Sequence, residues 1–131
     1  MSDVLIIDDD PAVGDALRLV FESAGYEVGW AETGREGVKM ATAKRFRVGI
    51  VDLVLPDMSG LQVIKTIRAQ QPDMLLTLIT GTGSPQAFSE ARRLGVVGIL
   101  TKPFSPADIV KLISRALEQE ISGRINPSLQ S

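Results

Sequence analysis

The 131-residue sequence predicts an α/β protein, an open and doubly wound parallel sheet of five strands with five helices covering its two faces. Three observations predict it. Short runs rich in Leu, Ile and Val alternate with segments of helical periodicity, five times over. Three of those runs are apolar at nearly every position, as parallel strands covered on both sides must be. Residues that start and stop helices fall between the runs, where crossover helices begin and end.

The first run, residues 4–8 (VLIID), is a buried strand. Asp10-Pro11 then supplies a helix cap followed by proline at the first helical position. Val13, Ala16, Leu17, Val20 and Phe21 form the apolar stripe of that helix, and Gly25 stops it. Residues 27–31 make a second strand whose Glu27 and Gly29 suit an edge position. Thr33 followed by Glu36 has the spacing of a capping box and opens a weaker second helix. Residues 47–52 (RVGIVD) and 74–80 (MLLTLIT) are the third and fourth strands. Between them a third helix runs from Gly60 through Leu61, Ile64 and Ile67 to Pro72. Ser84-Pro85 opens a short fourth helix carrying Phe88, Ala91 and Leu94, with Gly95 behind it. Residues 97–101 are the fifth strand, and Ser105-Pro106 opens a last helix striped with Ile109, Leu112, Ile113, Ala116 and Leu117. Crossovers are expected to be right-handed. Beyond Glu118 the stripe fades, so the domain is expected over residues 1–120, with 121–131 a flexible tail or linker.

Composition narrows the function. The chain is 44% hydrophobic and 23% charged, as ordinary globular domains are. It has no cysteine and no histidine, which excludes disulfides, thiolate metal sites and histidine-based catalysis. Any phosphohistidine must come from another molecule. A net charge of −2 argues against nucleic-acid binding by this chain alone. No apolar run approaches the ~20 residues that span a bilayer, and the first residues lack a basic leader, so a cytoplasmic, soluble protein is expected.

In sheets of this kind ligands bind beyond the carboxyl ends of the strands. There the sequence places Asp8, Asp9 and Asp10 after the first strand, Asp52 after the third, Thr80 after the fourth and Lys102 after the fifth. Each residue alone has an ordinary reading. Asp10 is a helix cap, a lone Asp at a strand end is a turn residue, Lys102 is a solvated lysine and Thr80 a β-former. Together they are harder to dismiss, because like charges ~4 Å apart repel by about 1–4 kcal/mol. A cation must balance Asp8, Asp9 and Asp52, whether Lys102, a metal or both. With only oxygen ligands on offer, that metal is a hard one, and Mg²⁺ on one or two carboxylates commonly serves phosphoryl chemistry.

These residues carry a resemblance. The acidic cluster after the first strand, Asp52 in DLVLPDMSG, Thr80-Gly81, and Lys102-Pro103-Phe104 resemble the receiver domains of two-component response regulators, including the chemotaxis receivers. The resemblance covers about residues 3–120. It implies the flavodoxin-like strand order 2-1-3-4-5 and a domain that accepts a phosphoryl group from a histidine kinase or phosphotransfer protein. It implies Asp52 as phosphoacceptor, with Mg²⁺ on Asp8, Asp9, Asp52 and the backbone carbonyl of Val54. Lys102 would pair with Asp52 and then with the phosphoryl group, and Thr80 would be the switch hydroxyl. Pro103 would follow a cis peptide, and Gly60 would adopt an unusual backbone angle. The fourth helix, fifth strand and fifth helix, where Arg92, Arg93, Val97 and Lys111 fall, would form a face for an output domain, a partner protein or a second copy. Such a domain is a signalling acceptor and not a turnover enzyme.

Two positions depart from the family pattern. Ile99 stands where an aromatic switch residue is common, so activation is expected mainly in residues 81–84 and the fourth helix. Val54 offers no side-chain group to orient water, so slow self-dephosphorylation is expected. Two rival readings remain at the level of sequence. A haloacid-dehalogenase-like phosphatase shares the Asp, Thr, Lys and Mg²⁺ set, but Ala12 stands where its signature needs Thr or Val, and no cap insertion is present. A receiver-like binding module that is never phosphorylated would keep the fold alone. A dinucleotide site is excluded, since the first strand leads into Asp-Asp-Asp-Pro and not into a glycine-rich turn.

Overall fold

A computed structural model describes residues 2–125, with side-chain surroundings from Asp3 to Glu120. Strands β1 (Ser2–Ile7), β2 (Val28–Ala31), β3 (Phe46–Asp52), β4 (Leu75–Thr80) and β5 (Gly98–Thr101) alternate with helices α1 (Pro11–Ser23), α2 (Gly34–Ala43), α3 (Gly60–Gln70), α4 (Pro85–Arg93) and α5 (Pro106–Ile125). All neighbouring strands run parallel, in the order β2-β1-β3-β4-β5. Fold class and strand order are as the sequence implies.

Alternation along each strand builds the two layers. Leu5, Ile7, Val51, Leu76 and Leu78 point to the side covered by α2, α3 and α4, where Ala41, Val63, Ile64, Ile67 and Ala91 are buried. Val4, Ile6, Val48, Ile50 and Ile79 point the other way, onto Leu17 and Phe21 of α1 and Ile109, Ile113 and Leu117 of α5. Each such side chain taken fully out of water contributes about 1.5–3 kcal/mol, so both faces of the central strands hold the sheet together.

The helix starts follow the sequence signals. Asp10 caps α1 through the Ala12 amide at 2.9 Å, Thr33 caps α2 through Glu36, Ser59 caps α3 and Ser84 caps α4. Gly25 and Gly95, which follow α1 and α4, have positive φ of 93° and 82°, the conformation glycine tolerates best. The expected domain boundary at residue 120 falls inside α5, which continues to Ile125. Polar helix formers around Glu118 prolong a helix without needing burial. Positions 126–131 of the expected tail lie outside the described residues.

Candidate functional site

Strand register sets the site. Ile7 pairs with Val51, Asp52 with Ile79, and Thr80 with Thr101. The residue that ends or follows each central strand therefore stands at one level along the carboxyl rim. Two backbone bonds lock that level: Leu53 N–H donates to the Ile79 carbonyl at 2.9 Å, and Lys102 N–H to the Thr80 carbonyl at 2.7 Å. The rim centres on β1 and β3, where the chain reverses its direction of winding and such sheets bind ligands.

Asp8, Asp9, Asp52, Thr80 and Lys102 all reach this rim, and the first three each place a carboxylate oxygen within 4.8 Å of the other two. Asp8 and Thr80 are fully buried, Asp52 is 5% exposed, and Asp9 faces solvent. The Lys102 ammonium donates to Asp52 Oδ2 at 2.8 Å and lies 3.1 Å from Asp8 Oδ2. The other Asp52 oxygen accepts from the Val54 amide at 3.2 Å, and Asp8 Oδ1 accepts from the Asp10 amide at 2.9 Å. Asp8 Oδ2 is buried yet out of line for a hydrogen bond from Lys102, so it lacks a donor.

Electrostatics follow from this geometry. Burial pushes the Asp8 carboxyl above its usual range; the Asp10 amide opposes that, the Asp52 charge adds to it, and Lys102 opposes it again. Burial also works against the Lys102 ammonium, but Asp52 and Asp8 more than offset it and hold its pKa above the ordinary lysine value. The site thus concentrates more negative charge than one lysine balances. A buried carboxylate oxygen with no hydrogen bond, sharing one ammonium with Asp52 and within reach of two further carboxylates, suits a small hard cation, and the oxygen-only donor set suits Mg²⁺.

Thr80 is already occupied. Its hydroxyl donates to the Thr82 carbonyl and accepts from the Thr82 amide at 3.0 Å, which folds the loop after β4 back on the strand. The Lys102–Pro103 peptide is cis. Gly60 differs from expectation, because its φ is not positive and it begins α3 with ordinary helical geometry. Its glycine answers to crowding: a Cβ there would sit 2.1 Å from the Asp52 carbonyl oxygen and 2.8 Å from its carbon. Asp10, read as a cap, is a cap and stands outside the three-carboxylate cluster.

Two contacts at this rim have no local sequence signature. Asp57, in the loop after Asp52, accepts from the amides of Gly34 and Arg35 at 2.8 and 2.9 Å and so ties that loop to the start of α2. In the sequence it is only a polar residue after a proline. The Trp30 indole N–H donates to the Asp8 carbonyl at 2.9 Å, a partner 22 residues away.

The Asp57 bond yields a pH prediction. The Arg35 amide first, then the Gly34 amide, holds its carboxyl below the usual range. A depressed folded pKa gives stability that is complete above the unfolded value of about 3.9 and vanishes as pH falls through the folded value. Asp57→Ala should therefore melt below the parent at pH 6–8, with the two melting temperatures converging as the pH falls below the usual carboxylate range. Thermal melts by circular dichroism across that range check it.

Fold and rim together define a receiver-type signalling domain. The sequence profile described as the response regulator receiver domain matches residues 4–114. The chain is 35% identical over 116 residues to the transcriptional regulatory protein GlrR of Escherichia coli (strain K12), covering 88% of this chain and 26% of that one. It is 35% identical to the acid tolerance regulatory protein ActR of Rhizobium meliloti (strain 1021), covering 95% of this chain and 62% of that one. Its fold superimposes with a TM-score of 0.89 on a CheY-like response regulator receiver domain protein from Methanospirillum hungatei JF-1, at 29% identity, covering 93% and 98% of the two chains. The chain belongs to the response regulator receiver domain family. It spans about a quarter of the length of GlrR. No helix among the described residues is long and apolar enough to cross a membrane.

Proposed function

We propose that Asp52 accepts a phosphoryl group from a phosphohistidine on a partner histidine kinase or phosphotransfer protein, in a Mg²⁺-dependent reaction, and that Thr80 and Lys102 convert the new charge into a loop rearrangement. The observation that carries this reading is the Asp52 carboxylate, held at the rim between the Lys102 ammonium at 2.8 Å and the Val54 amide at 3.2 Å. Asp8, Asp9, Asp52 and the Val54 carbonyl would hold the ion. When bound, Mg²⁺ supplies neutralising charge to phosphoryl oxygens.

An Asp52 oxygen attacks phosphorus, the P–N bond breaks, and the imidazole nitrogen leaves with the electron pair and takes up a proton. The product is an acyl phosphate, which brings about −1.5 to −2 of charge by analogy with other phosphorylated side chains. Lys102 turns from the carboxylate to the phosphoryl oxygens, a charge-assisted hydrogen bond in either state. Thr80 gains such a bond only by releasing Thr82, so phosphorylation favours the arrangement in which residues 81–84 have left their present position. The far end of α4 is anchored, since the Arg68 guanidinium donates to the carbonyls of Leu94 and Gly95 as well as Pro72 and Met74. Movement is therefore expected at the start of α4. Ile99, partly buried under this helix, replaces an aromatic toggle with a packing contact. The face of α4, β5 and α5 would then present its change to an output domain, a partner or a second copy, in a cytoplasmic signalling pathway.

Incubation of the protein with acetyl phosphate and Mg²⁺ should add the mass of one phosphoryl group, and Asp52→Asn should add none. No gain in mass would leave a binding module of the same fold, and many turnovers of a phosphate ester per protein would favour the phosphatase reading. Val54 is 64% exposed beside the acceptor, and its side chain offers water no hydrogen-bonding group. Self-dephosphorylation should accordingly be slow, with the phosphorylated mass persisting well beyond seconds after the donor is removed.

A further inference from the structure

We propose that Trp30 is a positioning residue for the metal-binding carboxylates, acting through the Asp8–Asp9 peptide. This rests on the Mg²⁺ site proposed above.

The argument starts at the end of β1. The Asp8 amide makes the last backbone bond to β2, donating to the Ala31 carbonyl at 3.0 Å. The next group along the chain, the Asp8 carbonyl, takes a side-chain donor, the Trp30 indole N–H at 2.9 Å. That bond fixes the plane of the peptide joining Asp8 to Asp9. Asp9 needs such help. Its carboxylate is exposed, and among the described residues no side chain or amide holds it, so the backbone alone aims it at the ion. Asp8 depends less on Trp30, because burial and the Asp10 amide already hold its side chain.

The indole is itself held by a matching gap. Gly14, buried in the first turn of α1, leaves a notch, and a Cβ there would lie 2.3 Å from two atoms of the Trp30 ring. Glycine inside a helix costs roughly 1 kcal/mol against alanine, so this one is explained by what it accommodates. The ring also packs against the buried cluster on the α1 side of the sheet, which includes Val4, Ile6, Leu17 and Phe21. Trp30 thus bridges the edge strand, the first turns of α1 and the loop that carries Asp8 and Asp9. An aromatic that only filled space would need neither the indole N–H nor the carbonyl aligned with it.

The test reads Mg²⁺ affinity in the unphosphorylated protein, by titrating MgCl₂ into ¹⁵N-labelled protein and following the amide shifts. Trp30→Phe should weaken Mg²⁺ binding about three- to tenfold, the scale set by one hydrogen bond. The rate of phosphorylation by acetyl phosphate should return to the parent value at saturating Mg²⁺, with only the half-saturating concentration raised. Trp30 is the only tryptophan. Replacing it by β-(3-benzothienyl)alanine exchanges N–H for sulfur at nearly constant shape, and should give the same weakening if Trp30→Phe fails to fold. A parent-like Mg²⁺ affinity in the folded variant overturns the proposal, even if the melting temperature falls, since packing alone would then be its role. Failure of the parent protein to bind Mg²⁺ at all would instead overturn the metal site of the proposed function.

Discussion

Lys102→Met is expected to destabilise the Mg²⁺-free protein by about 3 kcal/mol at pH 7, with a deficit that shrinks as the pH is lowered. Lys102 is the ammonium against both Asp52 and Asp8, at 2.8 and 3.1 Å, and Asp8 has no exposure at all. Removing one partner of a buried pair costs about 3–5 kcal/mol, because the other charge is left uncompensated. The lower end applies here, since the Lys102 side chain is 23% exposed and water shares its work. The pH dependence follows from Asp8. Burial already raises its folded pKa, and losing Lys102 removes an opposing influence and raises it further. A carboxyl with a raised folded pKa protonates more readily in the folded state, so stability falls as pH rises from the unfolded value through the folded one. The part of the deficit that comes from Asp8 is therefore complete above its folded pKa and is lost near the unfolded value of about 3.9. Urea unfolding at pH 7 and pH 4, with a chelator present, measures both limits. Added Mg²⁺ should narrow the gap at pH 7. Equal stability of variant and parent at pH 7 would mean that the lysine does not compensate these carboxylates.

Gly60→Ala should be comparably damaging for a different reason. Its new methyl would meet the Asp52 carbonyl oxygen at 2.1 Å, the Asp52 carbon at 2.8 Å and Leu53 Cα at 2.9 Å, all of them main chain. No side chain can rotate away to relieve this. Either α3 or the end of β3 must shift, at a cost of about 3 kcal/mol or more, the upper range for overpacking. A loss of that size lowers the melting temperature by about 10 °C. The strand end carries Asp52, so phosphorylation by acetyl phosphate should slow markedly even below the new melting temperature. Thermal melts and intact mass together check it. The usual explanation for glycine, a positive φ, predicts much less damage here, because Gly60 does not have one.

The strands and helices were legible because each carries its own signal. Residues 4–8 and 74–80 read as buried strands from composition alone, and Asp10-Pro11, Ser84-Pro85 and Ser105-Pro106 mark helix starts by capping chemistry. The rim set of Asp8, Asp9, Asp52, Thr80 and Lys102 was legible too, since a parallel sheet brings every strand's carboxyl end to one side. Gly60 was recognised as special but for the wrong reason, because an unusual backbone angle and a close approach leave the same glycine in the sequence. Asp57 and Trp30 were missed. Their partners lie 23 and 22 residues away, and nothing local distinguishes an aspartate that caps another helix from one that turns a loop.

The sequence by itself determined the alternation of elements, the two-sided core and the identity of the groups gathered at the rim, because periodicity, capping and strand-end placement are properties of neighbouring residues. Tertiary structure alone decided that Asp8 Oδ2 is left without a donor, that the Thr80 hydroxyl is tied to Thr82, and that an indole from the edge strand steadies the acidic loop. Those are matters of ångströms and angles, between segments distant in the chain for Asp8 and Trp30 and within a single tight loop for Thr80, and residue type alone does not set them.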